Sequence, residues 1–424
     1  MFSTPISAPV APPHPQAALL AQPRRAVVVG AGLAGSAAAY SLAQRGWQVQ
    51  VLDAAVAPAA GASALPAGLI APHVSPDDAP LSRLSRAGVR ATLERVAALL
   101  PQGQDWGKTG VLEHRVEKKR ALPATAPDGP RWMDEWSLEA SPAQLGAAGL
   151  AGLEPPASAL WHPCAAWLRP AQLVRAQLAH ERITWRSGCA VARLLPCAQG
   201  WAVLDAQGQT LAQAPLVVLA AGFAVRTVLD SLGDVAESAK LLPLHALRGQ
   251  VSWGLQDELP QAARAALPPW PVNGYGSFLH GMNGPSGAPM WIVGSSFERG
   301  NTSAAATEAD QAANLARLQR LLPRLGALMQ PAFQAAQGWA AVRCTLPDRM
   351  PAVGALDAVR WPGLHVLCGL GARGLTLSVL AGEVLAAQLH GEPWPLETFL
   401  AQKLLAQRFA ARRSSAAAAA SQSP

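Results

Sequence analysis

Cysteine is scarce in this sequence, and its cysteines form no recognisable pattern. There are 5 in 424 residues, and no two stand in a C-x-x-C arrangement. Disulfide frameworks and zinc sites need paired or regularly spaced cysteines, so we expect neither, and no metal site. Their scatter instead indicates reduced thiols in the cytoplasm. The five are Cys164, Cys189, Cys197, Cys344 and Cys368.

Long apolar runs are also missing. The longest, residues 216–225, contains Gly222 and is far shorter than the roughly 20 apolar residues that a membrane-spanning helix needs. Residues 1–24 are rich in proline and alanine and have no basic segment followed by an apolar one, which is typical of a disordered extension and not of a signal peptide. Residues 413–424 have the low complexity of a disordered tail. We expect a cytoplasmic protein without a membrane partner.

Charged residues are few, at 14%, and positive charge is in excess. There are 34 Lys and Arg against 27 Asp and Glu, with a net charge of +7 and a pI near 9.6. A basic surface suits an anionic partner such as nucleic acid, although any single basic residue more often lies on a solvated charged face. The candidate contacts are Arg83, Arg86, Arg90, His114, Arg115, Lys118, Lys119, Arg120, Lys403, Arg408, Arg412 and Arg413.

The most informative segment runs from Arg25 to Asp53. An apolar strand leads into a G-x-G-x-x-G turn, a helix of small residues, and a second strand that ends at Asp53. Such glycines allow a close approach to a pyrophosphate, the helix N-terminus offers it N–H groups, and an acid roughly 20 residues later can bind a ribose. The segment predicts a dinucleotide site at Gly30, Ala31, Gly32, Leu33, Ala34, Gly35 and Asp53.

Later segments extend the same pattern. Two more largely apolar strands are predicted, one over residues 216–222 that ends in Gly222 and one over residues 364–368 that is followed by Gly369, which is typical of strands buried in one parallel sheet. Between 244 and 300 the pattern changes to alternating strands, and a helix is predicted over 304–322. The fold class is therefore α/β, with a parallel sheet built from both ends of the chain and an α+β second lobe.

Taken in order, the motifs resemble those of the glycine oxidase/D-amino acid oxidase (DAO) family of FAD-dependent amine oxidoreductases. The resemblance covers residues 25–412 and implies FAD, in preference to NAD(P), as the cofactor. The motifs after the first are Gly61-Ala62-Ser63 with Ala67-Gly68-Leu69, Val218 to Gly222, Arg248-Gly249-Gln250, Val342 to Asp348, Pro351 with Gly354, and Gly369 to Gly374.

This resemblance implies a DAO-type domain arrangement and further cofactor contacts. A Rossmann-like FAD-binding domain would comprise residues 25–100, 160–235 and 336–412, interleaved with a mixed-sheet substrate domain of residues 101–159 and 236–335. The further FAD contacts would be Ala62, Ser63, Gly68, Leu69, Ala221, Gly222, Gly371, Ala372, Arg373, Gly374, Leu375 and Thr376.

Three segments narrow the resemblance: Leu160–Pro163 with Trp167–Pro170, Gly371–Leu375, and Gly391–Pro395. They are similar to the FAD-dependent half of the bacterial bifunctional enzymes of tRNA 5-methylaminomethyl-2-thiouridine biosynthesis. That similarity implies tRNA as partner and removal of the carboxymethyl group, as glyoxylate, from 5-carboxymethylaminomethyl-(2-thio)uridine at the wobble position, giving 5-aminomethyl-(2-thio)uridine. The methyltransferase half is not in this sequence, so we expect a standalone oxidoreductase half, with any later methylation either carried out by another polypeptide or not taking place.

The same family suggests the substrate-binding residues. Arg343 matches its substrate-carboxylate arginine, and a guanidinium can hold a carboxylate through two parallel bonds. Tyr275 and Phe278 lie where the family often has a substrate-facing tyrosine. Cys344, next to Arg343, raises the less favoured idea of a covalent flavin link.

Two other functions remain open. One is an FAD-dependent oxidase or dehydrogenase of free glycine, sarcosine or D-amino acids. Such an enzyme would not need an open, positively charged entrance to its active site. The other is a flavin-binding module that interacts with RNA without catalysis. No Ser/His/Asp or Cys/His arrangement is visible, and lone histidines such as His162 are more often packed than catalytic.

Overall fold

The computed structural model describes residues 24–116, 135–233 and 241–409. The disordered segments expected at the two ends, except Arg24, and the basic residues Lys118, Lys119, Arg120, Arg412 and Arg413 lie outside these ranges. Over the described ranges, no helix combines the length and the apolar character needed to cross a membrane.

Strands and helices alternate along most of the described chain. The strands are β1 (Arg25–Val29), β2 (Gln48–Leu52), β3 (Gly68–Ile70), β4 (Trp106–Gly107), β5 (Val111–His114), β6 (Leu138–Glu139), β7 (Ala159–His162), β8 (Ala166–Leu168), β9 (Ile183–Arg186), β10 (Arg193–Cys197), β11 (Gly200–Leu204), β12 (Thr210–Ala214), β13 (Leu216–Leu219), β14 (His245–Leu255), β15 (Val272–Gly274), β16 (Gly276–Asn283), β17 (Pro289–Gly294), β18 (Glu298–Arg299), β19 (Gln337–Thr345), β20 (Ala352–Ala355) and β21 (Leu364–Cys368). The α-helices are α1 (Leu33–Ala43), α2 (Pro80–Leu99), α3 (Pro142–Ala147), α4 (Pro170–Leu178), α5 (Val225–Asp230), α6 (Gln261–Ala265), α7 (Glu308–Leu321), α8 (Pro323–Met329), α9 (Gly374–His390) and α10 (Thr398–Leu404).

A six-stranded sheet confirms the predicted parallel core. Its order is β20-β21-β13-β1-β2-β9, and every neighbouring pair is parallel except β20 with β21. β13 and β21 are buried along their whole length, as is β1 after Arg25, which explains why their sequences are apolar apart from the buried His365 of β21. The carboxyl ends of β1, β13 and β21 meet at one edge, so the glycine turns that follow these strands lie together.

Three helices cover one face of this sheet. α9 packs against both α1 and α2, and Gly382 allows the closest approach, because a Cβ there would lie 2.7 Å from the Ala37 carbonyl oxygen. Beside this contact, Glu383 accepts hydrogen bonds from Ser41 Oγ at 2.7 Å and from the guanidinium groups of Arg45 and Arg95. These contacts therefore hold α1 and α9, which lie far apart in the sequence, against each other.

A nine-stranded sheet forms the second part of the structure. β18-β14-β17-β16-β15-β5-β7-β6 run in that order, and β19 pairs with β14 over nine residues. α7 and α8 pack on one face through residues such as Leu318, Leu321 and Leu325. β19 also reaches the parallel sheet, where Thr345 forms a bridge with Leu370. β19 therefore carries side chains from the large sheet to the glycine-rich edge.

Two details differ from the sequence expectations. β7 and β19 fall in ranges assigned to the cofactor domain, but they pair with β5 and β14 in the large sheet; the domain division itself stays a prediction. The helix predicted over 304–322 begins later, at Glu308, because the Thr307 hydroxyl caps it by accepting a hydrogen bond from Asp310 N at 3.2 Å.

Replacing Gly382 by alanine should destabilise the protein. The added methyl group would meet the backbone of Ala37, and we expect the free energy of unfolding to fall by about 1–3 kcal/mol, the usual cost of overpacking. Gly146→Ala in α3 is the matched control, because nothing lies within 4 Å of its Cβ position. It should leave stability unchanged or raise it by up to about 1 kcal/mol. Urea denaturation of both variants checks this, and equal effects would contradict the packing argument.

Candidate active site

A cavity of about 680 Å³ opens where the carboxyl ends of β1, β13 and β21 meet. One end is bounded by the first glycine turn and the other by β19. The structure therefore brings together most of the residues that the sequence predicts for the cofactor and substrate. Those that line it are Gly30, Gly32, Leu33, Ala34, Asp53, Ala62, Ser63, Ala221, Gly222, Arg343, Gly371, Ala372, Gly374 and Leu375.

The first glycine turn is shaped by close backbone contacts. Gly30 has φ +108°, and a Cβ there would lie 2.8 Å from the backbone of Ala220. A Cβ at Gly35 would collide with the carbonyl oxygen of Gly30, so α1 can pack against β1 only because position 35 has no side chain. Gly35 and Ala31 support the turn without lining the cavity.

Asp53 fixes this turn from the end of β2. Its Oδ2 accepts a hydrogen bond from Ala31 N at 2.6 Å, and its Oδ1 accepts one from Ala55 N at 2.8 Å. A carboxylate offers about four acceptor positions, so two remain for the hydroxyls of a ribose. Asp53 therefore both holds the turn and presents acceptors to the cavity that it lines.

The N-terminus of α1 fits a pyrophosphate. Ser63 Oγ accepts a hydrogen bond from Leu33 N at 2.9 Å and so ties the loop of residues 61–63 to the first turn of the helix. The first turn contains no acidic residue, so the partial positive charge of the helix end is not neutralised. A Cβ on Gly32 would lie 2.9 Å from Ser63 Oγ, so glycine at this position leaves space. Free N–H groups, positive potential and an open surface are the features that a bound diphosphate needs.

The remaining predicted cofactor residues lie behind the cavity. Gly68 and Leu69 belong to β3, Thr376 is buried in α9, and none of the three lines the cavity. Arg373 also lies off the lining, and burial together with the nearby Arg349 lowers the pKa of its guanidinium. The turn that precedes α9 therefore contributes backbone and small side chains to the cavity, through Gly371, Ala372 and Gly374.

Arg343 is a buried cation at the other end of the cavity. Its guanidinium donates to Ser295 Oγ at 3.1 Å, to Ser296 O at 3.0 Å and to Arg248 O at 3.3 Å. Among the described residues none pairs a carboxylate with it, and burial lowers its pKa to about 10, so it remains charged at neutral pH. Leaving such a charge without an anion costs free energy, and a substrate carboxylate would supply the missing anion.

Gly249 explains part of the Arg-Gly-Gln motif. A Cβ at this position would collide with Nη2 of Arg343, whose strand β19 pairs with β14. Arg248 itself is fully buried, and it donates to Asp310 Oδ2 at 2.6 Å. The motif therefore serves the substrate end of the cavity rather than the flavin directly.

The two aromatic candidates for the substrate site lie elsewhere. Phe278 is 0% exposed and packs in the core beneath α7, because strand alternation turns Leu279, and not Phe278, toward the opposite face. Tyr275 contacts Arg320, whose Cζ lies 4.0 Å from the ring centroid. Neither lines the cavity, so their assignment to the substrate site stays a prediction that these positions do not support.

Cys344 lines the cavity but is poorly suited to a covalent flavin link. Burial raises the pKa of its thiol to about 12, so the nucleophilic thiolate is strongly disfavoured. Cys368, which also lines the cavity, has a pKa raised by burial as well. All five cysteines are free.

One constellation was missed by the sequence analysis. His162 Nδ1 lies 2.8 Å from Ser137 Oγ, and its Nε2 lies 3.1 Å from Glu113 Oε2. Ser137 is 2% exposed and His162 is 0% exposed, and none of the three lines the glycine-rich cavity. The serine is closed to a substrate, so this series joins β5 and β7 to the segment before β6 and is not a nucleophilic site. Its members are far apart in sequence, which is why no local signal revealed it.

Several predicted nucleic-acid contacts are already engaged within the protein. Arg83 pairs with Glu397, Arg86 with Asp78 at 2.8 Å, and Arg408 with Asp348 at 2.9 Å. His114 is buried, with Nδ1 at 2.7 Å from Leu321 O, and Arg90 lies over the Trp136 ring. The structure thus favours a structural role for these five, because long-range partners that the sequence does not reveal hold them.

Fold and cavity together define an oxidoreductase that holds a dinucleotide cofactor at the edge of a parallel sheet. Residues 25–388 match the DAO family, described as FAD dependent oxidoreductase. The chain belongs to this family, and FAD is its cofactor.

Relatives give a finer comparison. The chain is 49% identical to the tRNA 5-methylaminomethyl-2-thiouridine biosynthesis bifunctional protein MnmC of Paracidovorax citrulli, over 95% of this chain and 63% of that protein. It is 50% identical to the protein of the same name from Delftia acidovorans, over 94% of this chain and 63% of that protein. It therefore spans 63% of the length of these curated relatives. Glycine oxidase from Geobacillus kaustophilus has the same fold, with a TM-score of 0.65 at 19% identity, covering 88% of this chain and 96% of that one.

Asp53→Asn should weaken FAD binding. The amide keeps one acceptor oxygen but loses the charge and one of the two bonds to backbone N–H groups. Hydrogen bonds to charged groups are worth about 1.5–3 kcal/mol, so the FAD dissociation constant should rise by about 10- to 100-fold. Fluorescence titration of the apoprotein with FAD measures this. Asp205→Asn is the matched control, because Asp205 accepts from Gln207 N and Gln209 N in an exposed turn; an equal effect there would contradict the assignment.

Proposed function

We propose that this chain removes the carboxymethyl group from 5-carboxymethylaminomethyl-(2-thio)uridine at the tRNA wobble position, releasing glyoxylate and leaving 5-aminomethyl-(2-thio)uridine. This is an oxidation of a CH–NH group. The observation that carries the proposal is Arg343, a buried cation that lines the flavin cavity and has no carboxylate partner among the described residues. The names of the relatives supply the tRNA context.

The reacting part of this substrate is an N-substituted glycine. Arg343 would hold its carboxylate, with Ser295 and the carbonyl oxygens of Arg248 and Ser296 fixing the guanidinium. Bound FAD supplies the acceptor for a hydride from the carbon between the amine and the carboxylate. Water then splits the resulting imine into glyoxylate and the primary amine.

The cavity lining offers no general base at the substrate end. Asp53 is the one carboxylate among the described lining residues, and it lies at the end that fits the ribose. Near Arg343 the ionisable lining groups are Cys344 and Cys368, and burial raises the pKa of both thiols. The substrate amine would therefore enter neutral, and the chain acts by positioning rather than by taking a proton from carbon.

Two arginines next to the cavity suit the phosphates of an RNA. Arg349 is exposed, and it lies close enough to Arg373 to lower the pKa of that guanidinium. Neither has a carboxylate partner among the described residues, and Ala372, beside Arg373, is exposed and lines the cavity. Uncompensated positive charge at this point supports an anionic macromolecule as substrate. Action on tRNA in the cytoplasm belongs to the same proposal.

Anaerobic flavin reduction tests the proposal. Purified holoenzyme mixed with tRNA that carries 5-carboxymethylaminomethyluridine should lose its flavin absorbance, while glycine, sarcosine and D-alanine react slowly. Arg343→Ala should lower the efficiency of the reaction by about 100-fold or more, since the positive charge that would bind the carboxylate is lost. Arg324→Ala, at an exposed arginine of α8, is the control and should react normally. Reduction by a free amino acid alone would instead establish a metabolic oxidase, and tRNA binding without reduction by any amine a non-catalytic module.

Arg349→Ala should weaken tRNA binding without affecting small substrates. If Arg349 neutralises one phosphate, its removal lowers the slope of log Kd against log salt concentration by about 1. Filter binding of tRNA between low and moderate salt measures this slope, and Arg324→Ala again provides the control. An unchanged slope would exclude Arg349 from the RNA contact.

A further inference from the structure

Phe297 is an exposed phenylalanine that covers the guanidinium of Arg343. Its side chain is 56% exposed, and its ring centroid lies 4.5 Å from Arg343 Cζ. Single exposed apolar side chains are common on protein surfaces, so what distinguishes Phe297 is its contact with a cation that lines the flavin cavity.

The position of Phe297 is fixed on both sides along the chain. Ser296 N donates to Gln250 O at 3.0 Å, and Ser296 Oγ accepts from Gln250 N at 3.0 Å. On the other side, β18 begins at Glu298 and pairs with β14, opposite Arg248. The ring is therefore held over Arg343 by the sheet, as a preorganised contact surface should be.

The proposed substrate places a base near this ring. A carboxylate bound by Arg343 is separated from the pyrimidine ring by a methylene, an amine and a second methylene, a reach of about 5 Å from carboxylate carbon to ring carbon when extended. Aromatic rings interact in offset or edge-to-face geometry at centroid separations of about 4.5–7 Å. The carboxylate carbon lies about 4 Å from the guanidinium carbon that it faces, so the base reaches this separation from Phe297 when the linker folds back over the guanidinium rather than extending away from it.

We infer that Phe297 packs against the pyrimidine base of the substrate and so selects arylmethyl-substituted glycines over free amino acids. The identity of the base rests on the proposed function. Phe297, like Tyr275 and Phe278, does not itself line the cavity, but its ring contacts Arg343, which does. It is a specificity-determining residue, whereas Arg343 binds the part that all N-substituted glycines share.

A matched control exists in the same chain. Phe399 is 52% exposed and lies over Lys403, with Nζ 4.5 Å from its ring centroid. Phe399 and Phe297 are thus nearly equal in the exposed fraction of the side chain and in the distance from the ring to the cation. Neither Phe399 nor Lys403 lines the flavin cavity.

Two probe molecules that keep the carboxylate but lack the oxidisable amine distinguish the contribution of the base to binding from that of the carboxylate. The probes are (uracil-5-ylmethoxy)acetate and methoxyacetate, in which an ether oxygen replaces the amine. Their dissociation constants are measured with the holoenzyme from the change in flavin absorbance. We expect Phe297→Ala to raise the constant of the uracil probe by about tenfold, the usual effect of losing one base–aromatic contact, and that of methoxyacetate by less than twofold. Phe297→Tyr should restore tight binding, and Phe399→Ala should change neither constant.

Three results would overturn the inference: no loss for the uracil probe, equal losses for both probes, or wild-type protein that binds the two equally. Equal losses would mean that Phe297 only supports Arg343. Failure of modified tRNA to reduce the flavin, together with the expected probe results, would remove tRNA as substrate and leave an arylmethylglycine site. The two proposals can therefore fail separately.

Discussion

The partial burial of one positive charge that no carboxylate of the described residues neutralises organises the substrate end of this molecule. Arg343 is held by Ser295 and by backbone carbonyl oxygens, which orient a guanidinium without neutralising it. That arrangement needs the long β14–β19 pairing, the absence of a side chain at Gly249, and contact of β19 with the glycine-rich edge of the parallel sheet. The cost of desolvating the charge is offset only when a carboxylate enters, so stability has been given up locally for affinity.

The cofactor end follows a different principle, since hydrogen bonds within the protein fix its shape and leave N–H groups and acceptors for the cofactor. Asp53 accepts two backbone hydrogen bonds and Ser63 accepts one from the first turn of α1, while the glycines bring strand and helix into contact. The cavity therefore combines a cofactor end whose shape the protein fixes with a substrate end whose positive charge still needs an anion. The first holds its ligand throughout catalysis, whereas the second must release its product.

The parallel sheet and the cofactor turn could be predicted from sequence because their signals are local: an apolar strand, a glycine turn and a helix follow one another along the chain. Long-range contacts could not. Asp348 accepts a hydrogen bond from Arg408, which lies 60 residues away in the sequence, and Ser137 forms one with His162, which lies 25 residues away. Nor could the sequence distinguish the two faces of β16, where a shift of one residue separates Phe278 in the core from Leu279 on the other side. Phe297 gave no periodic signal, because its role depends on a neighbour from a distant strand.

The order of strands in the parallel sheet also governs when the protein can become functional. β13 lies between β1 and β21, and the cavity is closed by the turn that leads into α9. During synthesis, the first strand and its glycine turn emerge more than three hundred residues before β21 and α9. The early βαβ unit gains its strand partners when β9 and β13 emerge, but the face of α1 that packs against α9 stays uncovered until α9 emerges after β21. Cofactor loading is therefore a late event in the life of each chain, and shortened chains that lack the final strand and helix would be aggregation-prone rather than partly active.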